Sequence, residues 1–189
     1  MSTAINLVKG AKVDLTKSNP NVKKFRVGLG WNPNTAVGGT FDVDVSAFVL
    51  GENGKRVDDN HFVFYNNLKS PRDFVVHNGD NLTGDGDGDD ETLVVDFSKV
   101  APEDKQIVFV VTIHDAASKN QNFGQVAGSY IRILDDATGT EIMKYDLNED
   151  YSIETAMVFG KIYEKDGEFK FEAVGTGMKG GLSDYLNQY

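Results

Sequence analysis

Between Asp80 and Glu91 the chain reads Asp-Asn-Leu-Thr-Gly-Asp-Gly-Asp-Gly-Asp-Asp-Glu, which puts six carboxylates in one glycine-rich stretch. No Lys or Arg occurs between Arg72 and Lys99, so nothing adjacent in sequence neutralises them. Crowded carboxylates repel, and a hard divalent cation relieves the repulsion, because Ca2+ takes roughly six to eight oxygen ligands at short range. Gly79, Gly84, Gly86 and Gly88 permit backbone angles that aim several carbonyls and carboxylates at one centre. The acids outnumber what a single ion uses, so the pattern fits two sites, or one site with outer-sphere carboxylates. Asp42 and Asp44 share one face of a predicted strand and can join the loop from beside it, while Asn66 and Asn67 offer neutral oxygen ligands. Mg2+ suits such a site less well, since it prefers octahedral geometry and few protein ligands. Transition metals want His or Cys, and here His61, His77 and His114 are scattered and cysteine is absent.

The loop is not an EF-hand. Counted from Asp85, the acids at the first, third and fifth positions are right, but Asp90 stands where the sharp turn needs glycine and Asp96 where the motif needs Glu. Counted from Asp80, Glu91 falls correctly, but Leu82 and Gly84 occupy ligand positions. The flanks, Phe74 to His77 and Thr92 to Phe97, carry strand patterns rather than helical ones. The bland alternative is a solvated, chemically idle acidic loop, which most acid runs are. Shortness, strand flanks and a mixture of Asp with Gly favour the metal.

Other chemistry is thin. His114-Asp115 closes a strand and has the residue types for acid–base work, yet a strand-end histidine bonded to nearby backbone accounts for it more simply. Neither a nucleophile elbow, an HExxH pair nor a P-loop is present. Gly28-Leu29-Gly30 and Gly175-Thr176-Gly177 are too short for a dinucleotide fingerprint, and Trp31 reads as a core or rim residue. Asn120 to Gln125 is rich in amides that suit either loop backbone or a partner.

The elements that must position these groups are strands. Phe41 to Leu50 alternates at period two, with Phe41, Val43, Val45, Ala47 and Val49 on one face. The other face begins with Asp42, Asp44 and Ser46, expected to be wet, then turns apolar at Phe48 and Leu50. Gln106 to His114 is a nearly continuous β-branched and aromatic run, which predicts a central strand covered on both faces. Further strands are expected over 24–29, 61–65, 74–77 and 92–97. Two hairpins are expected, 130–134 with 141–145 and 157–164 with 168–174, the second turning at Asp166-Gly167. Helix is limited to short turns near 102–105 and 184–187. The expected fold class is all-β, a β-sandwich of two mostly antiparallel sheets with a few short helices, forming a single domain over 1–189.

The 189 residues are 40% hydrophobic and 25% charged, enough for a sizeable core. The net charge of −10 argues against binding a phosphate backbone directly, so no nucleic-acid partner is expected. No apolar run reaches the length of a transmembrane segment, and the first residues lack the apolar stretch of a signal peptide. Together with the missing cysteines this predicts a cytoplasmic protein.

Several blocks resemble the TerD family of tellurium-resistance and stress-response proteins. They are Gly79 to Glu91, Phe41 to Phe48, Tyr65 to Leu68, Ile113 to Ala116, Gln121 to Val126 and Glu154 to Gly160, in family order over nearly the whole chain. The resemblance implies a bacterial β-sandwich that binds about two Ca2+ on an acidic surface. It further implies a cytosolic setting, extending to peripheral association with the inner membrane beside other tellurium-resistance proteins. Carried over by motif, the calcium candidates are Asp42, Asp44, Asn67, Asp80, Asn81, Asp85, Asp87, Asp89, Asp90 and Glu91. Gly30-Trp31-Asn32 departs from the Gly-Trp-Asp of that family and removes one carboxylate. The family label names a phenotype and no reaction. Without cysteine, thiol-based reduction of tellurite by this chain alone is excluded, and so acidic a surface is unattractive to an oxyanion.

The expectation is therefore a non-enzymatic calcium-binding module of a stress-response assembly. A calcium-dependent binder of a sugar or anionic lipid headgroup is the first rival, and a metal-assisted hydrolase using His114 or Asp115 the second.

Overall fold

Apolar residues at every second position give a strand one face that needs covering, and here two six-stranded sheets cover each other. The computed structural model describes residues 4–33, 39–86, 88–147 and 153–189. The strands are β1 (Ile5–Asn6), β2 (Lys12–Asp14), β3 (Lys24–Gly30), β4 (Val43–Leu50), β5 (Phe62–Val63) and β6 (Val75–His77), then β7 (Glu91–Asp96), β8 (Gln106–Ile113), β9 (Tyr130–Asp135), β10 (Glu141–Asp146), β11 (Ala156–Lys165) and β12 (Glu168–Met178). One sheet has the order β1-β10-β9-β3-β7-β6 and the other β2-β12-β11-β8-β4-β5. β1 pairs with β10 in parallel, and the remaining strand pairings are antiparallel. Two short α-helices, α1 (Ala116–Lys119) and α2 (Leu182–Gln188), complete an all-β sandwich of the class the alternation predicts.

The inner faces form one core, in which Val43, Val45, Ala47 and Val49 of β4 meet Phe25, Val27 and Leu29 of β3 and Leu93 and Val95 of β7. β8 lies between β11 and β4 and is buried on both sides, as its nearly continuous apolar run predicts. Its outer residues Val108 and Val110 join Phe48, Leu50 and Val158 in a second cluster, capped by Tyr185 of α2. Burying an aromatic or aliphatic side chain of this size stabilises by about 1.5–3 kcal/mol. Such a cap fixes α2 against the outer face of the sheet.

One expectation fails here in an informative way. Asp44 and Ser46 were expected to face water, yet all eight residues of β4 are buried, with Asp44 3% exposed. The period-two reading assigns them the correct face, but the chain around Gly180–Ser183 comes back over that face beside Asp44. Strand periodicity reports a side and says nothing about what long-range segment covers it. β1, β2 and α1 were not anticipated, because two to four residues are too few to show a period. No described helix is long and apolar enough to cross a membrane, which says nothing of strands.

Candidate metal centre

Asp42 immediately precedes β4, Asp44 is its second residue, and Asp80 begins the acidic loop that leaves β6. One carboxylate oxygen from each lies within 4.8 Å of the others. The pairing of β4 with β8 holds the strand end, and the His114 N–H donates to the Asp42 carbonyl at 2.8 Å. Asp42 Oδ1 is buried with no hydrogen-bond partner. Two unit charges at this spacing repel by about 3–4 kcal/mol at an effective dielectric near 20. The centre therefore takes up either protons or a cation.

The titration behaviour follows. Burial raises the Asp44 carboxyl to about 8, with Glu91, Asp42 and Asp80 adding to the shift. Burial also raises Asp42, and Asp80 and Asp115 push the same way against His114 and Lys119. Glu91 is raised by burial and pulled back by three donors. Its Oε2 accepts the Val45 N–H at 2.7 Å and its Oε1 the Asn81 N–H at 3.3 Å. Glu91 thus ties β4, next to Asp44, to the loop, next to Asp80. Behind it His77 is buried, its Nδ1 accepting the Gly79 N–H at 3.2 Å. That bond places the ring proton on Nε2, which faces Glu91 Oε2 at 3.6 Å.

The far end of the loop is anchored differently. Asp89 accepts from Arg132 Nε at 2.8 Å and from the Tyr130 hydroxyl at 3.1 Å. It reaches them by lying flat on the sheet over Gly28, where a Cβ would stand 2.2 Å from Asp89 Oδ2. Gly28 is paired with Arg132, and Gly30 with Tyr130, so the two missing side chains make the groove. Asp90 Oδ2 accepts the Trp31 N–H at 2.9 Å while the Asp90 N–H donates to the Leu29 carbonyl at 2.8 Å. Burial raises Asp90, with Asp89 and Asp85 adding, against the Trp31 N–H. The Trp31 indole N–H donates to the Phe41 carbonyl at 3.2 Å, and its ring packs on Gly84.

Of the ten residues singled out, the structure brings Asp42, Asp44 and Asp80 to one point, with Glu91 against them through Asp44. Asn81 organises the loop: its Oδ1 accepts the Thr83 and Gly84 N–H groups, and its Nδ2 donates to Asp90 Oδ1 at 3.1 Å. Asp85 is exposed, and its carbonyl accepts a 3.4 Å bond from Asn81. Asn67 pairs its backbone with Phe64 and donates its side-chain N–H to the Phe62 carbonyl at 2.6 Å. Asp87 lies outside the described residues. Sequence reasoning passed over His77, Tyr130 and Arg132. The signals were there in faint form: His77 shares the buried side of β6 with Val75, and Tyr130 and Arg132 alternate with buried Ile131 and Ile133. His114 Nε2 stands 3.6 Å from Asp115 Oδ2, and its ring meets the Tyr65 ring edge-on at 5.8 Å.

Fold and centre together define a class: a two-sheet β-sandwich with an oxygen-only acidic centre where a strand end meets a glycine-rich loop. A family model described as the TerD domain matches residues 3–189, and the chain belongs to the TerD family. It is 50% identical over 186 residues to a protein of Serratia marcescens named tellurium resistance protein TerD, covering 98% of this chain and 97% of that one. It is equally 50% identical to general stress protein 16U of Bacillus subtilis (strain 168), covering 98% and 96%. Among solved structures, a homologue of telluride resistance protein (TerD) from Streptomyces coelicolor A3(2) superposes with a TM-score of 0.74 at 17% identity, covering 88% of this chain and 96% of that one. That last likeness is one of fold.

Proposed function

We propose that this chain is a calcium-binding, non-catalytic module of a bacterial tellurium-resistance and stress response. The observation that carries the calcium reading is the convergence of Asp42, Asp44 and Asp80 with a buried, unpartnered oxygen on Asp42. An all-oxygen donor set suits a hard cation, and a flexible loop supplying carbonyls and carboxylates suits Ca2+ over Mg2+. Asp42, Asp44 and Asp80 hold the ion, and the acidic loop beyond Asn81 supplies the region for a second one. The ion contributes positive charge that cancels the mutual repulsion of these carboxylates. The protein contributes the Glu91 and Asn81 bonds that keep strand and loop in register.

The stress-response setting rests on the names of the two half-identical relatives, both of which this chain covers almost end to end. We further propose a role as a cytosolic interaction module that extends to the inner membrane surface beside other tellurium-resistance proteins, a reading that family membership supports. Isothermal titration of the metal-free full chain with Ca2+ and with Mg2+ tests the reading. Saturable Ca2+ binding that Asp42→Asn and Asp80→Asn weaken is expected, and a flat Ca2+ titration would overturn it.

A further inference from the structure

Beside the centre lies a cavity of about 290 Å3, walled by Asp44, Tyr65, Thr112, His114 and Asp115 on one side and by Gly180–Ser183 on the other. Its size is at the small end for ligand sites, which run from roughly 300 Å3 upward, and matches a single sugar ring or a comparable polyol. Asp44 belongs both to this wall and to the carboxylate centre, so a molecule in the cavity lies against the group that would hold the ion.

The chemistry of the wall narrows the ligand. Among the described residues no Lys or Arg lines it, so a phosphate or carboxylate ligand finds none of its usual partners, and Asp44 and Asp115 repel it. Among the described residues the large apolar side chains of the wall are Ile113 and Leu182, too few for a hydrophobic ligand. What remains is a mixture of hydroxyls (Tyr65, Thr112, Ser183), carboxylates and an imidazole, able to donate and accept on neighbouring atoms. Tyr65 and His114, packed edge to face, add aromatic surface. A neutral polyhydroxy compound satisfies such a wall, and its hydroxyl oxygens are also the hard donors that Ca2+ takes to complete its shell.

We propose that this cavity is a binding site for a neutral polyol of monosaccharide size, one hydroxyl pair of which ligates the ion at Asp42, Asp44 and Asp80. The site rests on the calcium reading above. Asp44 and Asp115 accept hydrogen bonds from the polyol, Tyr65 and Ser183 donate to it, and the stretch from Gly180 to Ser183 forms the opposite wall.

The test uses amide NMR of the full chain with D-mannose, D-galactose, D-ribose and myo-inositol as probes, in saturating Ca2+ and in EGTA. Saturable shifts from at least one probe are expected at Tyr65, His114 and Ser183 in Ca2+, with affinity reduced about tenfold or more in EGTA, the equivalent of about 1.4 kcal/mol. Leu182→Trp fills the cavity and should abolish the shifts while leaving the Ca2+ titration unchanged. Should that variant misfold, Tyr65→Phe, which removes one hydroxyl, should weaken binding with the Ca2+ titration again intact. Ca2+ binding with no saturable shift from any probe overturns the polyol site and leaves the metal reading standing. Shifts that ignore EGTA overturn the bridging by the ion, shifts that survive Leu182→Trp overturn the location, and absence of Ca2+ binding overturns both readings together.

Discussion

Replacing Asp44 with Asn should make the metal-free protein more stable, and calcium should remove much of that advantage. In the metal-free fold the Asp44 carboxyl is pushed up to about 8 from its ordinary 3.8, because it is buried among Glu91, Asp42 and Asp80. A carboxyl raised by folding supports the fold fully below its unfolded value and loses that support as pH rises toward its folded value. Stability therefore falls by about 1.4 kcal/mol per pH unit between about pH 4 and pH 8 and levels off above. At pH 7 the accumulated cost is on the order of 4 kcal/mol, and an amide, which does not ionise, escapes it. For a chain of this length that is a melting shift of roughly 10 °C.

The assay is urea denaturation of parent and Asp44→Asn in EGTA across this pH range, repeated at pH 7 in Ca2+. The two proteins should converge near pH 4 and separate progressively above it, the variant being the more stable. In Ca2+ at about a hundred times its dissociation constant the parent gains about 2.7 kcal/mol, and the variant, lacking a ligand, gains far less. A variant less stable than the parent in EGTA at pH 7, or a difference that does not change with pH, would refute the electrostatic argument.

Three further outcomes are expected. Calcium binding at pH 7 should release close to one proton per ion at this centre, since a carboxyl at about 8 is roughly nine-tenths protonated there; titration calorimetry in buffers of differing ionisation enthalpy measures this. Arg132→Gln should cost about 3 kcal/mol in urea denaturation, because Asp89, whose side chain is 8% exposed, loses its charged partner, whereas a cost near zero would mean that Asp89 simply swings into water. Gly84→Ala should destabilise by about 1–3 kcal/mol and red-shift the fluorescence of Trp31, the sole tryptophan, because the position has φ +74° and the new Cβ would stand 2.4 Å from the indole nitrogen.

The sandwich was legible because its strands are long enough to show their period. Val43 to Val49 alternate into the core, and β8 announces burial on both faces by its nearly continuous apolar run. The acidic loop was legible as a place but not as a geometry. Its carboxylates look equivalent in sequence, yet Asp80 turns toward β4, Asp89 crosses to Arg132 on β9, and Asp90 bonds the backbone of Trp31. What separates them is sheet order, which sets β3 between β7 and β9 and brings Arg132 within reach from 43 residues away. Gly28 and Gly30 illustrate the same limit, since the triplet is too short to signal any site in sequence and only the register shows Asp89 and Tyr130 filling the groove beside it.

Of the two β4 residues whose burial the local pattern misjudged, Asp44 and Ser46, the first is the one on which the proposed chemistry centres. A strand position that alternation assigns to water, filled by Asp yet buried beside a cavity that the distant segment at Gly180 also lines, places pattern and tertiary structure in conflict. Such conflicts lower stability, and they are expected where function maintains them. A solvated acidic loop needs no buried member, because free carboxylates relieve their repulsion by moving apart in water. Asp44 has no such freedom: β8 pairs with its backbone, Glu91 bonds the next residue, and Asp42 stands two residues before it, just ahead of the same strand. The fold thus keeps Asp42 and Asp44 together at the end of one strand, with the exposed Asp80 brought beside them, the arrangement on which the proposed ion site rests.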